Sequence, residues 1–321
     1  MNKLRILSCG EVLWDLFPDG VRFGGAPANF ACHAAILGGA VTMLSAVGND
    51  ERGDEAISIL KGFGINSSLV QRIADAQTGS VSVSLDAAGK PSFKIHADSA
   101  WDHIAWTEAL EERIAGVNAI YFGTLGLRGA TSRATMQRAL GIAKAHGIVR
   151  VLDVNLRRPF YDASLIRESI ARASVLKLSD DELSAIILAC CVTPETMPED
   201  TLRALLTQFG LDLVVMTRGA HGALLVTADA TVDQPGILTD VVDTVGAGDS
   251  FTAALVLGLL RGEPYPTVLR QACEVAASVC SRSGAVPDLQ ASPIQVSPTY
   301  EGSTTKDTRS ENPHQTINNP N

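Results

Sequence analysis

At 321 residues, with 46% hydrophobic residues and a net charge of −9, the chain is long enough for one large α/β domain or two smaller ones and has the apolar content to fill a core. Its 26 Lys and Arg are scattered rather than gathered into a basic stripe, which excludes a nucleic-acid surface; an acidic protein that handles phosphate must use local backbone donors and metal ions. Six cysteines (Cys9, Cys32, Cys190, Cys191, Cys273, Cys280) show neither CxxC spacing nor a His partner pattern and read as reduced core residues, not as a zinc site or redox pair. Glu11 and Asp15 interrupt the N-terminal apolar run too early for a signal peptide, and the longest apolar stretch, Phe251 to Leu260, is too short for a bilayer. A cytoplasmic protein with no membrane partner is expected.

In chain order, Leu4 to Cys9 reads as a buried first strand ending at Gly10, with Glu11 to Asp15 beyond it. Ligand groups of open α/β sheets gather at strand C-terminal ends, so Asp15 is either a ligand contact or a solvated loop acid. The pair Gly24, Gly25 leads into an alanine-rich helix running to Leu37, where Asn29 either meets a sugar's hydroxyls, offering donors and an acceptor, or caps the helix. Val41 to Val47 reads as a second buried strand and Asp54 to Phe63 as an amphipathic helix. Between Thr78 and Ile95 the pattern alternates, with Val81, Val83 and Leu85 on one side and Ser80, Ser82 and Ser84 on the other. With a turn at Asp86 to Lys90, this predicts a half-exposed hairpin, a small separate sheet placed to act as a lid.

From Ala119 an α/β rhythm sets in: strand to Phe122, helix Ser132 to His146, strand Val149 to Val154, helix Ala163 to Ala173, strand Val175 to Leu178. Asp153, Asn155 and Arg157 fall at a strand end, and Glu182 opens the next helix as a cap or as the holder of a hydrated metal. Leu211 to Met216 is a further strand. It runs into Thr217, Gly219 and Gly222, a turn that either receives a nucleotide phosphate or simply joins two strands.

In Asp243 to Phe251, two glycines and an alanine precede a carboxylate and an apolar helix. A helix start there leaves the amides of Gly246, Ala247 and Gly248 unpaired and able to cradle negative charge. Beside them, Asp249 either caps the helix or takes a proton from an attacking hydroxyl. After Leu289 the composition turns polar and aperiodic, and residues 289–321 are expected to be a disordered tail. There is no P-loop, no His-Glu-x-x-His and no Gly-x-Ser-x-Gly elbow.

The glycine pair with its asparagine (Gly24, Gly25, Asn29) and Asp-Thr-x-Gly-Ala-Gly-Asp-x-Phe at Asp243 to Phe251 resemble the two signatures of the ribokinase-like (PfkB-type) carbohydrate kinases, over roughly residues 4 to 288. The resemblance implies a three-layer αβα core with a mainly parallel sheet (1–12, 29–78 and 100–288) and a β-sheet lid (13–28 and 79–99) that pairs with a second copy in a homodimer. It implies Asp249 as general base, Gly246, Ala247 and Gly248 as anion hole, and Asp15, Gly25 and Asn29 as sugar contacts. Thr217, Gly219 and Gly222 become a nucleotide turn for ATP, Glu182 holds magnesium through water, and Asp243 lies near a monovalent-cation (K+) site. Where the family often has Asn before this Glu, the chain has Ser179. Gly10 to Asp15, Trp101 with Asp102, and Asp153-x-Asn155-x-Arg157 are similar to the fructokinase branch, and 2-keto-3-deoxygluconate kinases share the last motif, with Arg157 suited to a substrate carboxylate. The expected activity is transfer of the ATP γ-phosphate to a sugar's primary hydroxyl, fructose first, with 2-keto-3-deoxygluconate, ribose or a nucleoside as alternative acceptors and a non-catalytic sugar-binding protein as the alternative to an enzyme.

Overall fold

A computed structural model describes residues 3–85 and 91–287. The turn expected at Asp86 to Lys90 and the tail from 289 lie outside the described residues. In order the chain forms β1 (Arg5–Cys9), β2 (Leu13–Phe17), β3 (Gly20–Gly24), α1 (Ala26–Ile36), β4 (Ala40–Gly48), α2 (Glu51–Gly62), β5 (Asn66–Ile73), β6 (Gly79–Leu85) and β7 (Pro91–Ile95). Then come α3 (Glu108–Ile114), β8 (Ala119–Gly123), α4 (Ala130–Ala145), β9 (Val149–Asp153), α5 (Ala163–Arg172), β10 (Val175–Ser179), α6 (Asp180–Cys190) and α7 (Pro198–Phe209). The chain continues with β11 (Leu213–Thr217), β12 (Ala223–Val226), β13 (Thr231–Gln234), α8 (Ala247–Leu260) and α9 (Tyr265–Cys280).

Two sheets result among the described residues. The larger has nine strands in the order β13-β12-β11-β10-β9-β8-β1-β4-β5, parallel except for the antiparallel β12 and β13 at one edge. Its central strands are continuous apolar runs because helices cover both faces. Along β1, Ile6 enters one core while Leu7 and Cys9 enter the other. One core joins the sheet to α3 through α7, the second to α1, α2, α8 and α9. In the second, the Phe30 ring of α1 stacks on Tyr121 of β8 at 3.9 Å between centroids. Truncating such a buried aromatic costs about 3–5 kcal/mol, enough to unseat α1.

The smaller sheet, β3-β2-β6-β7, is built from the hairpin β2–β3 and the hairpin β6–β7, with β2 and β6 parallel. Val81 and Val83 are buried on it, as the alternation predicts, whereas Ser80 is buried too because β6 runs close under the main body at that end. Helix α1 starts at Ala26, inside the stretch whose boundary the sequence put at 29. Helix α2 starts at Glu51 rather than Asp54, since Asp50 caps it by accepting from the Gly53 amide at 2.8 Å.

The cysteine expectation needs one correction. All six are free, but Cys191 is exposed and Cys280 only half-buried. Cys191 ends α6 with a left-handed φ of 53°, outside the apolar stripe that buries Cys190.

Candidate active site

Helix α8 begins at Ala247, with Gly246 as its N-cap at φ 79°. A Cβ at Gly246 would overlap the carbonyl oxygen of Ala285, so only glycine fits this turn. The first helical bond runs from the Ser250 amide to the Gly246 carbonyl at 2.9 Å. The amides of Gly246, Gly248 and Asp249 have no acceptor among the described residues. The Ala247 amide does: it donates to the Thr244 carbonyl at 3.3 Å. This corrects the expectation that Gly246, Ala247 and Gly248 all present free donors, because the loop closes a turn of its own before the helix starts. The open donors are Gly246, Gly248 and Asp249, at the positive end of the helix dipole.

Asp249 stands at the third position of α8. Its side chain accepts no first-turn amide; Oδ2 instead accepts from Asn29 Nδ2 at 2.9 Å, across 220 residues of sequence. Helix α1 places Asn29 there, 5% exposed, with Oδ1 unpartnered among the described residues. Burial raises the Asp249 pKa to about 7; the Asn29 hydrogen bond opposes this, Asp153 reinforces it, and Lys177 and Arg157 oppose it. A carboxylate whose only partner is a neutral amide keeps a high affinity for a proton, as a general base requires.

Behind this turn lies an ion pair that the sequence reading missed. Lys177 of β10 donates to Asp153 Oδ1 of β9 at 3.1 Å, both side chains being under a tenth exposed. Thr252 Oγ1 lies 3.0 Å from Asp153 Oδ2 and 2.9 Å from the Gly248 carbonyl. Burial alone would lower the Lys177 pKa, but the carboxylates of Asp153 and Glu182 outweigh it and hold the ammonium charged. Its Nζ comes within 3.4 Å of where a Cβ would stand on Gly248. The signal was in the sequence: a lysine inside the apolar run Val175 to Leu178 is costly unless paired.

Around the lid, Asp15 sits on β2, its pKa raised by burial to about 6 against the pull of Arg157 and Arg22. Gly25, at φ 105°, caps α1 where a Cβ would stand 2.6 Å from the Glu11 carbonyl. Glu11 is a second residue that the sequence reading passed over. It is 3% exposed, Oε2 has no partner among the described residues, and burial raises its pKa to about 7, with Asp249 adding to the shift and Arg157 and Arg128 opposing it. Arg157 is exposed and, among the described residues, donates only to the carbonyl of its neighbour Leu156, while its charge acts on Glu11, Asp15 and Asp249. Trp101 and Asp102 both serve Arg128: the guanidinium stacks on Trp101 at 3.8 Å and on Phe160 at 4.5 Å and makes two 2.8 Å hydrogen bonds to Asp102.

On the other side, Thr217, Gly219 and Gly222 line a cleft of about 550 Å³ shared with Lys177, Ala247 and Gly248. Gly222 is at φ 87°, where a Cβ would overlap the Gln234 carbonyl. Lys177 also lines a neighbouring cleft of about 730 Å³ that holds Arg157, Arg158 and Glu182, so its ammonium stands where the two meet. Glu182 does cap its helix: Oε2 accepts from the Ser179 amide and hydroxyl at 2.8 and 3.0 Å, and Oε1 from the Leu156 amide at 2.6 Å. Asp243 accepts from the amides of Val245 (3.0 Å) and Gly284 (2.9 Å), and shares a cavity of about 240 Å³ with Asp15.

Residues 19–291 match the pfkB family carbohydrate kinases. The chain belongs to this family. It is therefore a phosphotransferase acting on a sugar hydroxyl. Fructokinase-2 of Zea mays is 28% identical over 309 residues, covering 88% of this chain and 90% of that protein. Aminoimidazole riboside kinase of Salmonella typhimurium is 30% identical over 291 residues, covering 87% and 88%. A crystal structure of an uncharacterized sugar kinase from Pyrococcus horikoshii in complex with ATP superposes with a TM-score of 0.75 at 28% identity, covering 88% of this chain and 94% of that one. This sugar kinase has no helix among its described residues long and apolar enough to cross a membrane.

Proposed function

We propose that the chain is an ATP-dependent fructokinase in which Asp249 deprotonates the primary hydroxyl. The observation that carries the reading is the Asn29–Asp249 hydrogen bond, which sets a half-buried carboxylate against open helix-end amides. The similarity to plant fructokinase favours fructose among the acceptors. Aminoimidazole riboside kinase, equally similar, keeps a riboside as the second reading.

The sugar enters under the small sheet with Asp15, Gly25 and Asn29 about it. As its oxygen attacks the γ-phosphorus, the O–H proton passes to Asp249, a new O–P bond forms, and the bond to the ADP oxygen breaks. The amides of Gly246 and Gly248, with the Lys177 ammonium behind them, meet the charge that spreads over the transferring group. The turn at Thr217, Gly219 and Gly222 takes the nucleotide.

No cluster of three metal-ligating side chains occurs among the described residues, so magnesium would be held chiefly by the nucleotide phosphates and water. Glu182 fits a water-bridged contact, since Oε1 accepts only one hydrogen bond and keeps a lone pair. When bound, the ion neutralises charge on the phosphates. A monovalent cation beside Asp243 and a homodimer through the small sheet, whose Val21 and Phe93 are more than half exposed, complete the proposal.

A coupled ATP-consumption assay across fructose, ribose, 2-keto-3-deoxygluconate, glucose and nucleosides, with and without K+, tests it. Fructose should show the highest kcat/KM. A nucleoside or keto sugar acid in first place would overturn the fructose assignment.

A further inference from the structure

His33 lies one helical turn after Asn29 on α1 and is 1% exposed. Its Nε2 is 2.9 Å from the carbonyl oxygen of Ala285. A carbonyl only accepts, so Nε2 carries the proton and donates. Burial pushes the ring's pKa down to about 4, leaving it neutral at physiological pH. The Ala285 carbonyl is the same atom that a Cβ on Gly246 would strike. It presses on the glycine that opens the anion turn. The loop carrying it is tied to that turn a second time, where the Gly284 amide donates to Asp243 Oδ2 at 2.9 Å.

We infer that His33 is a positioning residue for phosphoryl transfer. Through the Ala285 carbonyl it holds Gly246 in place, so that the open amides at the start of α8 converge on the transferring group. One helix thereby serves both halves of the reaction. Asn29 grips the base, and His33, about 6 Å further along the helix axis by the 1.5 Å rise per residue, braces the donors beside it. Their separation is set by one turn of rigid helix, which Phe30 locks against Tyr121 between them. The sequence around His33 is Ala31, Cys32, Ala34 and Ala35, all compact and apolar or nearly so. An imidazole belongs in that company only if its donor is used.

The inference rests on reading Gly246 to Gly248 as the anion turn. Its test compares His33→Leu, which keeps volume without a donor, with His33→Gln, whose Nε2 reaches a similar distance. H33L should lose about ten- to a hundredfold in kcat, the scale of a misplaced catalytic group, with the KM for sugar unchanged within about twofold. H33Q should recover most of the loss. Binding of ADP–aluminium fluoride in the presence of fructose should weaken in H33L by the same factor as kcat, while ATP alone binds as before. Amide exchange of residues 243–249, followed by mass spectrometry, should quicken in H33L and not in H33Q.

Equal losses in H33L and H33Q, or wild-type kcat and exchange in H33L, would overturn the inference. A rise in sugar KM at unchanged kcat would overturn it as well. Should H33L not fold, His33→Asn, whose amide stops short of Ala285, replaces it in every comparison. If the wild type phosphorylates no acceptor, the anion-turn reading fails by itself, and the exchange experiment still reports whether His33 braces the turn.

Discussion

Two acids that act on each other electrostatically, the buried Asp153 and the half-buried Asp249, have opposite surroundings. Asp153, at the end of β9, receives the Lys177 ammonium and the Thr252 hydroxyl, so both oxygens are engaged and its charge is neutralised locally. Asp249, on the first turn of α8, has only the neutral Asn29 amide and stands beside free backbone donors. The difference shows how one fold makes a structural carboxylate and a reactive one from the same side chain. At Asp153 burial raises the pKa and the Lys177 ammonium opposes that rise directly, whereas at Asp249 the amide partner orients the group and burial leaves its pKa near 7.

The largest effect that would break the comparison comes from Asp249→Asn. Losing a placed base removes about two to four orders of magnitude from kcat, with sugar affinity retained by calorimetry. Near wild-type turnover in this variant would remove Asp249 from the chemistry. Next is Lys177→Met, which strands Asp153 as an unpaired buried charge. It should cost about 3–5 kcal/mol of stability in denaturant titration and lower kcat as well. Stability lost with kcat intact would restrict Lys177 to the scaffold.

The pH profile sharpens the contrast. A base must be unprotonated, and Asp249 has its pKa raised to about 7, so kcat/KM should rise with pH through about 7 and level off above it. Lys177 lowers that pKa and Asp153 raises it, so Lys177→Met should move the limb to higher pH and Asp153→Asn to lower pH. Shifts of the same sign would contradict the assignment of the limb to Asp249. The smallest effect belongs to Asn29→Ala. It should raise the sugar KM well beyond the ATP KM and shift the limb modestly upward, because the hydrogen bond it removes favours the carboxylate.

Much of the frame was legible from residue order. Strands such as Ala119 to Phe122 and helices such as Ala163 to Ala173 announce themselves by apolar runs and 3.6-residue spacing, and the structure places them within a residue or two. The weakly patterned edge strands β5 and β13 escaped because few of their positions are buried. The site was legible where a motif concentrates it, in Asp243 to Phe251. It was hidden where single residues carry it, as with Glu11, Lys177, Arg128 and His33, each isolated in an apolar neighbourhood without a local partner.

The alternation of strands and helices, the glycine turn ahead of α8 and the family follow from residue order, because they depend on contacts a few residues apart or on short spelled motifs. Tertiary structure alone decided that Asn29 and not a backbone amide holds Asp249, that Ala247 spends its amide on Thr244, and that Asp153 is neutralised by Lys177. Those outcomes depend on hydrogen-bond competition among groups up to 220 residues apart. A polar group's partner is chosen by whatever the packed sheet and helices bring within 3 Å, and no local pattern encodes that choice.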